Sequence, residues 1–139
     1  MTNQFLGNLF IISAASGTGK TSLVKEILAH NKDIAISISH TTRLARLAEI
    51  EGKDYFFVTE RKFKEMQADE AFFESAECHG SFYGTSKESI NQIREAGKDI
   101  ILEIDWQGAV SIKAIFPEAV SIFILPPSME KLEERLRAR

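Results

Sequence analysis

The sequence predicts an α/β fold in which helices flank a parallel sheet and a small mixed α+β insert interrupts the core. Three short apolar runs, at residues 9–12, 100–104 and 120–125, are each followed by a segment with helical spacing. Strands buried on both faces of a parallel sheet have this continuous apolar character. Between residues 39 and 89 the chain is more polar and irregular, so we predict an insert there and a core made of residues 1–38 and 90–139.

The first part of the core is predicted as strand, loop, helix and strand. Residues 9–12 form the first strand, and a loop of small residues follows it. Val24, Ile27 and Leu28 then recur at the spacing of one helix face. Residues 34–39 alternate apolar and hydroxyl side chains, which is typical of a half-buried strand.

The insert is predicted from short aromatic and amphipathic segments. Residues 55–58 and 81–83 have the composition of short strands. Phe63 and Met66 mark the apolar face of a short helix between them. We therefore expect the insert to contain both helix and strand and to form a lobe separate from the core.

The second part of the core returns to alternating strands and helices. Thr85 and Glu88 match a capping box, so they predict the start of a helix whose inner face carries Ile90 and Ile93. The remaining predicted elements are a strand at residues 100–104, a helix at 108–116, a strand at 120–125 and a last helix capped by Ser128.

Composition limits the classes of partner. Among 139 residues, 17 are Lys or Arg and 20 are Asp or Glu, a balance that argues against a broad nucleic-acid-binding face. No apolar run approaches the roughly 18 residues of a membrane span. The single cysteine, Cys78, excludes an intramolecular disulfide, and the first residues lack the Lys or Arg of a secretory signal. We expect a cytoplasmic protein with neither nucleic acid nor membrane as partner.

The last predicted helix keeps its apolar periodicity up to Arg139, and no stop signal is present there. This pattern leads us to expect a truncated chain. The sequence contains no signal for the oligomeric state.

Residues 14–21, AASGTGKT, have the pattern of a phosphate-binding loop, with Ala14 where a first glycine is usual. Gly17 and Gly19 let backbone amides point at phosphate oxygens, and Lys20 adds a positive charge. The loop also follows a predicted strand and opens a predicted helix, as the motif requires. The alternative is a glycine-rich turn with an incidental lysine. The predicted phosphate ligands are Ala14, Ala15, Ser16, Gly17, Thr18, Gly19, Lys20 and Thr21.

Two acids lie at the carboxyl end of the strand at residues 100–104. In parallel sheets ligands bind at this edge, so Glu103 and Asp105 are candidate site residues. Thr21 and Asp105 are predicted to hold Mg²⁺, partly through water. The alternative is a pair of ordinary surface acids at a strand end.

Six stretches carry a resemblance to a known family: SGTGKT, SISHTTR, EGKDYFFV, FYGTS, LEIDWQGA and SIFILPPS. In order and spacing they resemble guanylate kinase, a nucleoside monophosphate kinase family that moves a phosphoryl group from ATP to GMP. The resemblance implies a P-loop kinase core, a GMP-binding insert at residues 39–89 and a lid that closes over ATP. It also implies Mg²⁺ as cofactor, ATP and GMP as partners, and three catalytic residues, Lys20 and the lid arginines Arg135 and Arg139.

The resemblance also implies an acceptor site, and the chemistry of its side chains agrees. Arginine's planar fork can engage two phosphate oxygens at once. Guanine presents a ring N–H beside an exocyclic amine, so one carboxylate can accept both, whereas adenine has an acceptor at that ring position. The implied GMP-binding residues are Ser39, Arg43, Arg46, Tyr55 and Tyr83 for the phosphate, Glu74 and Thr85 for guanine, and the neighbouring Gly84, Glu103 and Asp105.

Other functions and simpler roles remain open from the sequence. One is a guanylate-kinase-like binding module that keeps the fold without catalysis, and another is a kinase for a different monophosphate or small acceptor. Individual residues also have structural explanations: Thr85 as a helix cap, Tyr55 and Tyr83 as core aromatics, and Arg43 and Arg46 as residues of a solvated loop.

One segment departs from the family pattern. After Thr-Thr-Arg the family continues with prolines and a glycine, whereas residues 44–49 here read LARLAE. Proline and glycine fix turn geometry and limit the freedom of the unfolded chain. We therefore expect the loop around Arg46 to be less preset for binding a phosphate.

Overall fold

The computed structural model describes residues 6–14, 19–125 and 128–138. These residues form a parallel sheet flanked by helices and a smaller mixed sheet, which confirms the predicted α/β class. In chain order the elements are β1 (Leu9–Ala14), α1 (Lys20–His30), β2 (Ile34–Ile36), β3 (His40–Thr41), β4 (Phe56–Phe57), α2 (Glu60–Ala68), β5 (Phe72–Cys78), β6 (Ser81–Ser86), α3 (Lys87–Glu95), β7 (Asp99–Glu103), α4 (Trp106–Ile115), β8 (Val120–Ile124) and α5 (Met129–Arg137).

The larger sheet, which we call the core sheet, has the order β2–β7–β1–β8, with neighbouring strands parallel. Ile11 and Ile12 of β1 are both almost completely buried, although consecutive strand residues point to opposite faces. Ile11 packs in a cluster with Ile90 of α3 and Ile112 of α4, and Ile12 packs with Val24 of α1. Helices therefore cover both faces of the central strand, which explains its continuous apolar sequence.

The smaller sheet, which we call the arm sheet, has the order β4–β3–β6–β5. His79 and Gly80 join β5 to β6, and their positive φ angles of 51° and 82° match a two-residue type I′ hairpin turn. The ring of Phe63 on α2 stacks on those of Phe72 and Phe82, with centroids 4.7 and 5.5 Å apart. These rings give the arm sheet a small apolar core of its own.

Three strands differ from the sequence prediction. β5 was not predicted, because its sequence FFESAEC is rich in acidic and small residues and it is held by pairing with β6 rather than by composition. β3 was not predicted either, since two residues are too few to show a period. β2 ends at Ile36 rather than at residue 39, because the chain leaves the core sheet there to enter the arm sheet.

The predicted cap of α3 is wrong by one residue. Thr85 lies inside β6, and the N-cap is Ser86, whose hydroxyl accepts the Ser89 amide at 3.1 Å. The Thr85 side chain therefore has a different role from helix capping. The arm sheet spans residues 40–86, while α3 packs on the core sheet through Ile90. The insert boundaries at residues 39 and 89 stay a prediction.

The caps of the last two helices explain where those helices begin. α4 begins at Trp106 rather than at residue 108, because Asp105 is its N-cap and accepts the Gly108 amide at 2.8 Å. The predicted cap of α5 is confirmed, since the Ser128 hydroxyl accepts the Lys131 amide at 3.0 Å. Asp105 thus has one oxygen committed to the helix end.

The helices of the described part of the chain are short. The longest of them, α1, has 11 residues, whereas a bilayer-spanning helix needs about 20. Within these described ranges no helix is both long and apolar enough to cross a membrane.

We expect Gly84→Ala to lower the free energy of unfolding by roughly 1–3 kcal/mol, because the arm core has no room for a methyl group. A Cβ at residue 84 would lie 2.8 Å from the Phe72 ring and 3.1 Å from the Phe63 ring. Denaturant unfolding followed by circular dichroism measures the loss. Adding Phe72→Leu should recover part of it, and a double variant showing the full sum of both losses would contradict the steric explanation.

Candidate functional site

A cavity of about 300 Å³ opens between the core sheet and the arm sheet. It contains predicted residues from both the phosphate loop and the insert, which the fold brings together from distant parts of the chain. An adjoining cleft of about 570 Å³ shares Lys20, Ser39, Tyr55 and Glu103 with it. The residues that line the cavity are Lys20, Ser39, Tyr55, Glu74, Ala76, Cys78, Tyr83, Glu103, Ile104 and Asp105.

The carboxyl ends of β1 and β7 place the phosphate loop beside an acid. Ile12 of β1 lies opposite Glu103 of β7, so the loop after β1 leaves the sheet next to this carboxylate. The Thr21 hydroxyl donates to Glu103 Oε1 at 3.2 Å. Gly19, the N-cap of α1, has φ 91°, a left-handed backbone that favours glycine. Glu103 is thus the acid in contact with Thr21, and Asp105 also lines the cavity.

A β-bulge directs Glu74 into the cavity. The pairing of β5 with β6 is irregular between Phe72 and Glu74, so Phe73 is an extra residue on β5. Phe73 packs against the buried cluster of the core sheet. Beyond the bulge, Glu74, Ala76 and Cys78 occupy alternate positions and all line the cavity. The bulge therefore separates the apolar start of β5 from its cavity-facing end.

Thr85 holds the Glu74 carboxylate. Its fully buried hydroxyl donates to Glu74 Oε1 at 2.7 Å. Burial raises the pKa of Glu74 above its usual 4.5; the Thr85 hydrogen bond opposes the rise and the charge of Asp105 adds to it. A threonine has one O–H hydrogen, and this bond leaves none for the predicted contact with a guanine carbonyl. In this structure the Thr85 hydroxyl is hydrogen-bonded to Glu74, and its contact with guanine stays a prediction.

Gly108 of α4 separates two carboxylates. A Cβ at this position would lie 3.3 Å from Asp105 Oδ1 and 3.4 Å from Glu74 Oε2. The arm sheet and the first turn of α4 thus approach each other closely at a residue without a side chain. The closeness of Glu74 to Gly108 could not be predicted from the sequence, because the position of Glu74 depends on β5.

Two tyrosines face the cavity from the arm side. The rings of Tyr55 and Tyr83 meet edge to face with centroids 6.1 Å apart. The Arg43 guanidinium lies 5.3 Å from the centroid of the Tyr55 ring, at cation–π distance. Burial is the main cause that raises the pKa of Tyr55, so its hydroxyl remains protonated at neutral pH and is available as a donor.

Arg43 forms an ion pair with Glu49, a residue that was not among the predicted site residues. Nη1 and Nη2 of Arg43 donate to Glu49 Oε1 and Oε2 at 2.7 and 3.0 Å, and Oε1 also accepts the Arg46 amide at 2.8 Å. The Arg43 hydrogen bond and then the Arg46 amide hold the pKa of Glu49 down at about 2. The same pairing raises the pKa of Arg43. The exposed Arg46 side chain lines the adjoining cleft.

Some predicted site residues do not line the cavity, and others lie outside the residues that the structure describes. Gly84 is buried beneath Phe72 rather than at the cavity surface, and Ala14 is the last residue of β1. Only the backbone of Arg135, within α5, is described. The predicted residues outside the described ranges are Ala15, Ser16, Gly17, Thr18 and Arg139.

The donor atoms at the carboxyl edge of the core sheet fit a hard cation. Thr21, Glu103 and Asp105 offer only oxygen ligands, which Mg²⁺ prefers. Among the residues that the structure describes, no group of three or more His, Cys, Asp or Glu side chains forms a metal cage. Such an edge suits an ion that completes its coordination with phosphate oxygens and water.

Replacing Thr85 with Val should raise the pKa of Glu74 further, because a hydrogen bond that lowers this pKa is lost. Carbon-13 NMR titration of the Glu74 carboxyl measures the midpoint. Thr41→Val is the matched control, since Thr41 is equally buried but its hydroxyl donates to the Phe82 carbonyl. Identical midpoints in the wild type and Thr85→Val would contradict the assigned hydrogen bond.

Comparison with known proteins points to one family. The guanylate kinase family model matches residues 6–139. The chain is 55% identical over 133 residues to a guanylate kinase of Nitrosospira multiformis and 56% identical over 133 residues to one of Nitrosococcus oceani, in both cases over 96% of this chain. It also resembles a crystal structure of guanylate kinase from Anaplasma phagocytophilum, with a TM-score of 0.80 and 36% identity.

These proteins are longer than the present chain. The aligned part covers 63% of the Nitrosospira protein and 66% of the Nitrosococcus protein. The structural match covers 95% of this chain and 67% of the Anaplasma chain. The chain therefore spans about two thirds of the length of the curated relatives it matches.

Proposed function

The chain belongs to the guanylate kinase family, and we propose that the whole protein transfers the γ-phosphoryl group of ATP to GMP, giving ADP and GDP. The observation that carries the proposal is one cavity lined by both Lys20 and Glu74. Lys20 supplies a cation for nucleotide phosphates, and Glu74 supplies a carboxylate for a base. The cavity thus offers the two kinds of group that a donor phosphate and a guanine acceptor need.

The acceptor is GMP, with its base at Glu74 and its phosphate at the tyrosines of the arm. Guanine donates from its ring N–H and its amine, and the bulge in β5 turns the Glu74 carboxylate toward them. Thr85 positions this carboxylate through its hydroxyl. Tyr55 and Tyr83 donate to the phosphate, together with Ser39, Arg43 and Arg46, and residues 39–89 form the acceptor-binding insert.

The donor is ATP, with its phosphates at the loop between β1 and α1. Amides at the start of α1 and the positive end of its dipole attract phosphate oxygens. Lys20 balances charge on the phosphoryl group during transfer, while Arg135 and Arg139 contribute further charge from the lid. The other contribution to catalysis is the alignment of the GMP phosphate for in-line attack, and no covalent enzyme intermediate is needed.

Magnesium accompanies ATP in this proposal, and its ligands are Thr21 and Asp105, partly through water. Glu103 accepts a hydrogen bond from the Thr21 hydroxyl and so orients that hydroxyl. When bound, the ion neutralises phosphate charge. The all-oxygen donor set described above supports Mg²⁺ over a metal that prefers nitrogen or sulfur.

The simpler alternatives gain no support from the relatives. Proteins that match 96% of this chain at 50% to 56% identity are named guanylate kinases, which favours the kinase over a binding module. We propose the cytoplasm as location, with nucleotides rather than nucleic acid or membrane as partners.

A coupled assay for ADP formation tests the proposal with ATP and a panel of GMP, AMP, CMP and UMP. We expect turnover with GMP and little with the others. Binding of each nucleotide to the 139-residue chain is measured in parallel by titration calorimetry. Turnover of another monophosphate without turnover of GMP would overturn the acceptor assignment, and binding of neither ATP nor GMP would overturn the kinase assignment.

A further inference from the structure

We propose that Phe73, the extra residue of the β5 bulge, is a positioning residue that anchors the arm sheet to the core and so holds Glu74 where it recognises the guanine base. The inference rests on the proposed function, because it takes Glu74 as the group that binds guanine. It adds a residue that neither the motifs nor the comparisons assign. Three observations carry it: the change of face at the bulge, the packing of Phe73 against the core and the close approach of Glu74 to α4.

The bulge places Phe72 and Glu74 on opposite faces of the arm sheet. Phe72 pairs with Ser86 and Glu74 pairs with Thr85, so β5 contains one more residue than β6 between these two pairs. In a regular strand residues 72 and 74 would share a face. Here Phe72 stacks on Phe63 in the apolar core of the arm, whereas Glu74 lines the cavity. Without the extra residue the Glu74 carboxylate would point into that apolar core.

The residues after the bulge keep the shifted alternation. Ser75 Oγ accepts a hydrogen bond from Gln67 Nε2 of α2 at 3.0 Å, so the Ser75 side chain lies on the α2 side of the arm sheet. Glu74 and Ala76, the neighbours of Ser75 in sequence, line the cavity on the opposite face. The single extra residue therefore determines which side chains of β5 reach the cavity, Glu74 among them.

Phe73 joins the bulge to the core. Its side chain packs against the buried cluster that contains Ile112 of α4. Its ring meets the ring of Phe116, at the end of α4, edge to face, with centroids 5.0 Å apart and an interplanar angle of 77°. The Lys87 ammonium lies 5.9 Å from the centroid of the Phe73 ring. These contacts fix the backbone immediately before Glu74.

The position of Glu74 has little tolerance, because β5 and α4 are in close contact there. Glu74 Oε2 lies 3.4 Å from the place that a Cβ of Gly108 would occupy, and Asp105 Oδ1 lies 3.3 Å from the same place. The Thr85 hydroxyl donates to Glu74 Oε1 at 2.7 Å. Thr85 therefore orients the carboxylate, while Phe73 fixes the strand that carries it. A displacement of about 1 Å is enough to weaken recognition at a site of this kind.

The ionisation of Glu74 tests the role of Phe73 without a ligand. In Phe73→Ala we expect the pKa of Glu74 to fall toward 4.5, because burial is the main cause that raises it and burial decreases when β5 moves away from α4. Phe73→Leu keeps an apolar anchor and should give a midpoint between those of Phe73→Ala and the wild type. Carbon-13 NMR titration measures each midpoint. Thr85→Val is expected to raise the midpoint, so loss of the anchor and loss of the hydrogen bond differ in sign.

Phe82→Ala is the matched control. It removes the same kind of ring from the arm, but Phe82 stacks on Phe63 in the arm core and is not among the residues packed against the core sheet cluster. The Glu74 midpoint should therefore stay at the wild-type value in this variant. Thermal unfolding of each variant checks that the chain is folded at the temperature of the titration.

Titration calorimetry of the full 139-residue chain measures the effect on base recognition. We expect the Kd for GMP to rise roughly tenfold in Phe73→Ala, because the displaced Glu74 carboxylate no longer meets the guanine donors. The Kd for ATP should not change, since the loop between β1 and α1 is distant from the bulge in sequence and is carried by the core sheet. A lowered Glu74 midpoint with an unchanged Kd for GMP would overturn the link between the anchor and guanine.

The remaining outcomes separate this inference from the proposed function. A Glu74 midpoint that is the same in Phe73→Ala and the wild type would overturn the role of Phe73, and so would an equal fall in Phe82→Ala. If Phe73→Ala does not fold, Phe116→Leu removes the partner ring from the core side, and a wild-type midpoint in that protein would contradict the anchor. Absence of GMP binding in the wild type would overturn the proposed function, whereas a lowered midpoint in Phe73→Ala would still support Phe73 as the residue that positions Glu74.

Discussion

Lys20→Met should lower the rate of phosphoryl transfer to GMP by about a thousandfold while leaving the fold intact. Lys20 is the first residue of α1 and lines both the cavity and the adjoining cleft. Its ammonium group lies at the end of the phosphate loop. Removing it leaves the negative charge on the transferred phosphoryl group unbalanced. Methionine keeps most of the length of the side chain. The coupled ADP assay measures the rate, and circular dichroism checks the fold.

The control for this variant is Lys32→Met, which makes the same change of charge just beyond the end of α1. Lys32 is exposed and lies outside the residues that line the cavity and the cleft. Its variant should turn over GMP at the wild-type rate. A Lys20→Met protein whose rate stays within tenfold of the wild type would exclude the role proposed for this lysine.

The core sheet could be predicted from the sequence because its signals are local. β1, β7 and β8 each show a continuous apolar run, β2 follows from an alternating pattern, and the helices repeat apolar residues at helical spacing. The position of the phosphate loop between β1 and α1 follows from the same order, since a loop after a parallel strand must leave at its carboxyl edge. For the same reason Glu103 and Lys20 could be expected to approach each other, and both line the cavity.

The arm sheet was harder to predict because its elements depend on contacts between distant residues. β5 has the composition of a polar segment and becomes a strand through its hairpin with β6. The one local signal for it is His79-Gly80, a two-residue turn. Alternate residues of a strand lie on the same face. Had β5 been predicted, Ala76 and Cys78 would therefore have been expected to line the cavity beside Glu74. The bulge that directs Glu74 has no signature in the sequence.

The hydrogen bonds of Thr85 with Glu74 and of Glu49 with Arg43 could not be predicted for a related reason. A Thr followed three residues later by Glu satisfies the capping-box pattern, but β6 extends through Ser86 and takes Thr85 out of the cap. Glu49 lies in a loop with no period, so its pairing with Arg43 depends on how that loop closes. Patterns based on spacing rank such residues no higher than their neighbours.

Glu74→Gln should reduce the preference for GMP over AMP, as a ratio of kcat/KM values, by about a hundredfold or more. A carboxylate accepts hydrogen bonds from both the ring N–H and the amine of guanine. A carboxamide has one acceptor oxygen, and its NH₂ group would lie against the second N–H donor of guanine. The partial burial of Glu74 strengthens this discrimination, because an unmatched polar group in the cavity lacks full hydration. Steady-state kinetics with each monophosphate measures the ratio.

Glu77→Gln is the matched control, since Glu77 lies on the same strand, carries the same charge and is exposed outside the cavity. The pH dependence gives a second measurement. Because the pKa of Glu74 is raised above 4.5, its carboxylate becomes protonated at a higher pH than an ordinary glutamate, and GMP binding should weaken as the pH falls through that value. The phosphate groups of GMP and AMP both titrate near pH 6, so their effect largely cancels in the ratio of the two affinities. A ratio that is independent of pH, or that is unchanged by Glu74→Gln, would remove Glu74 from base recognition even if GMP remains the substrate.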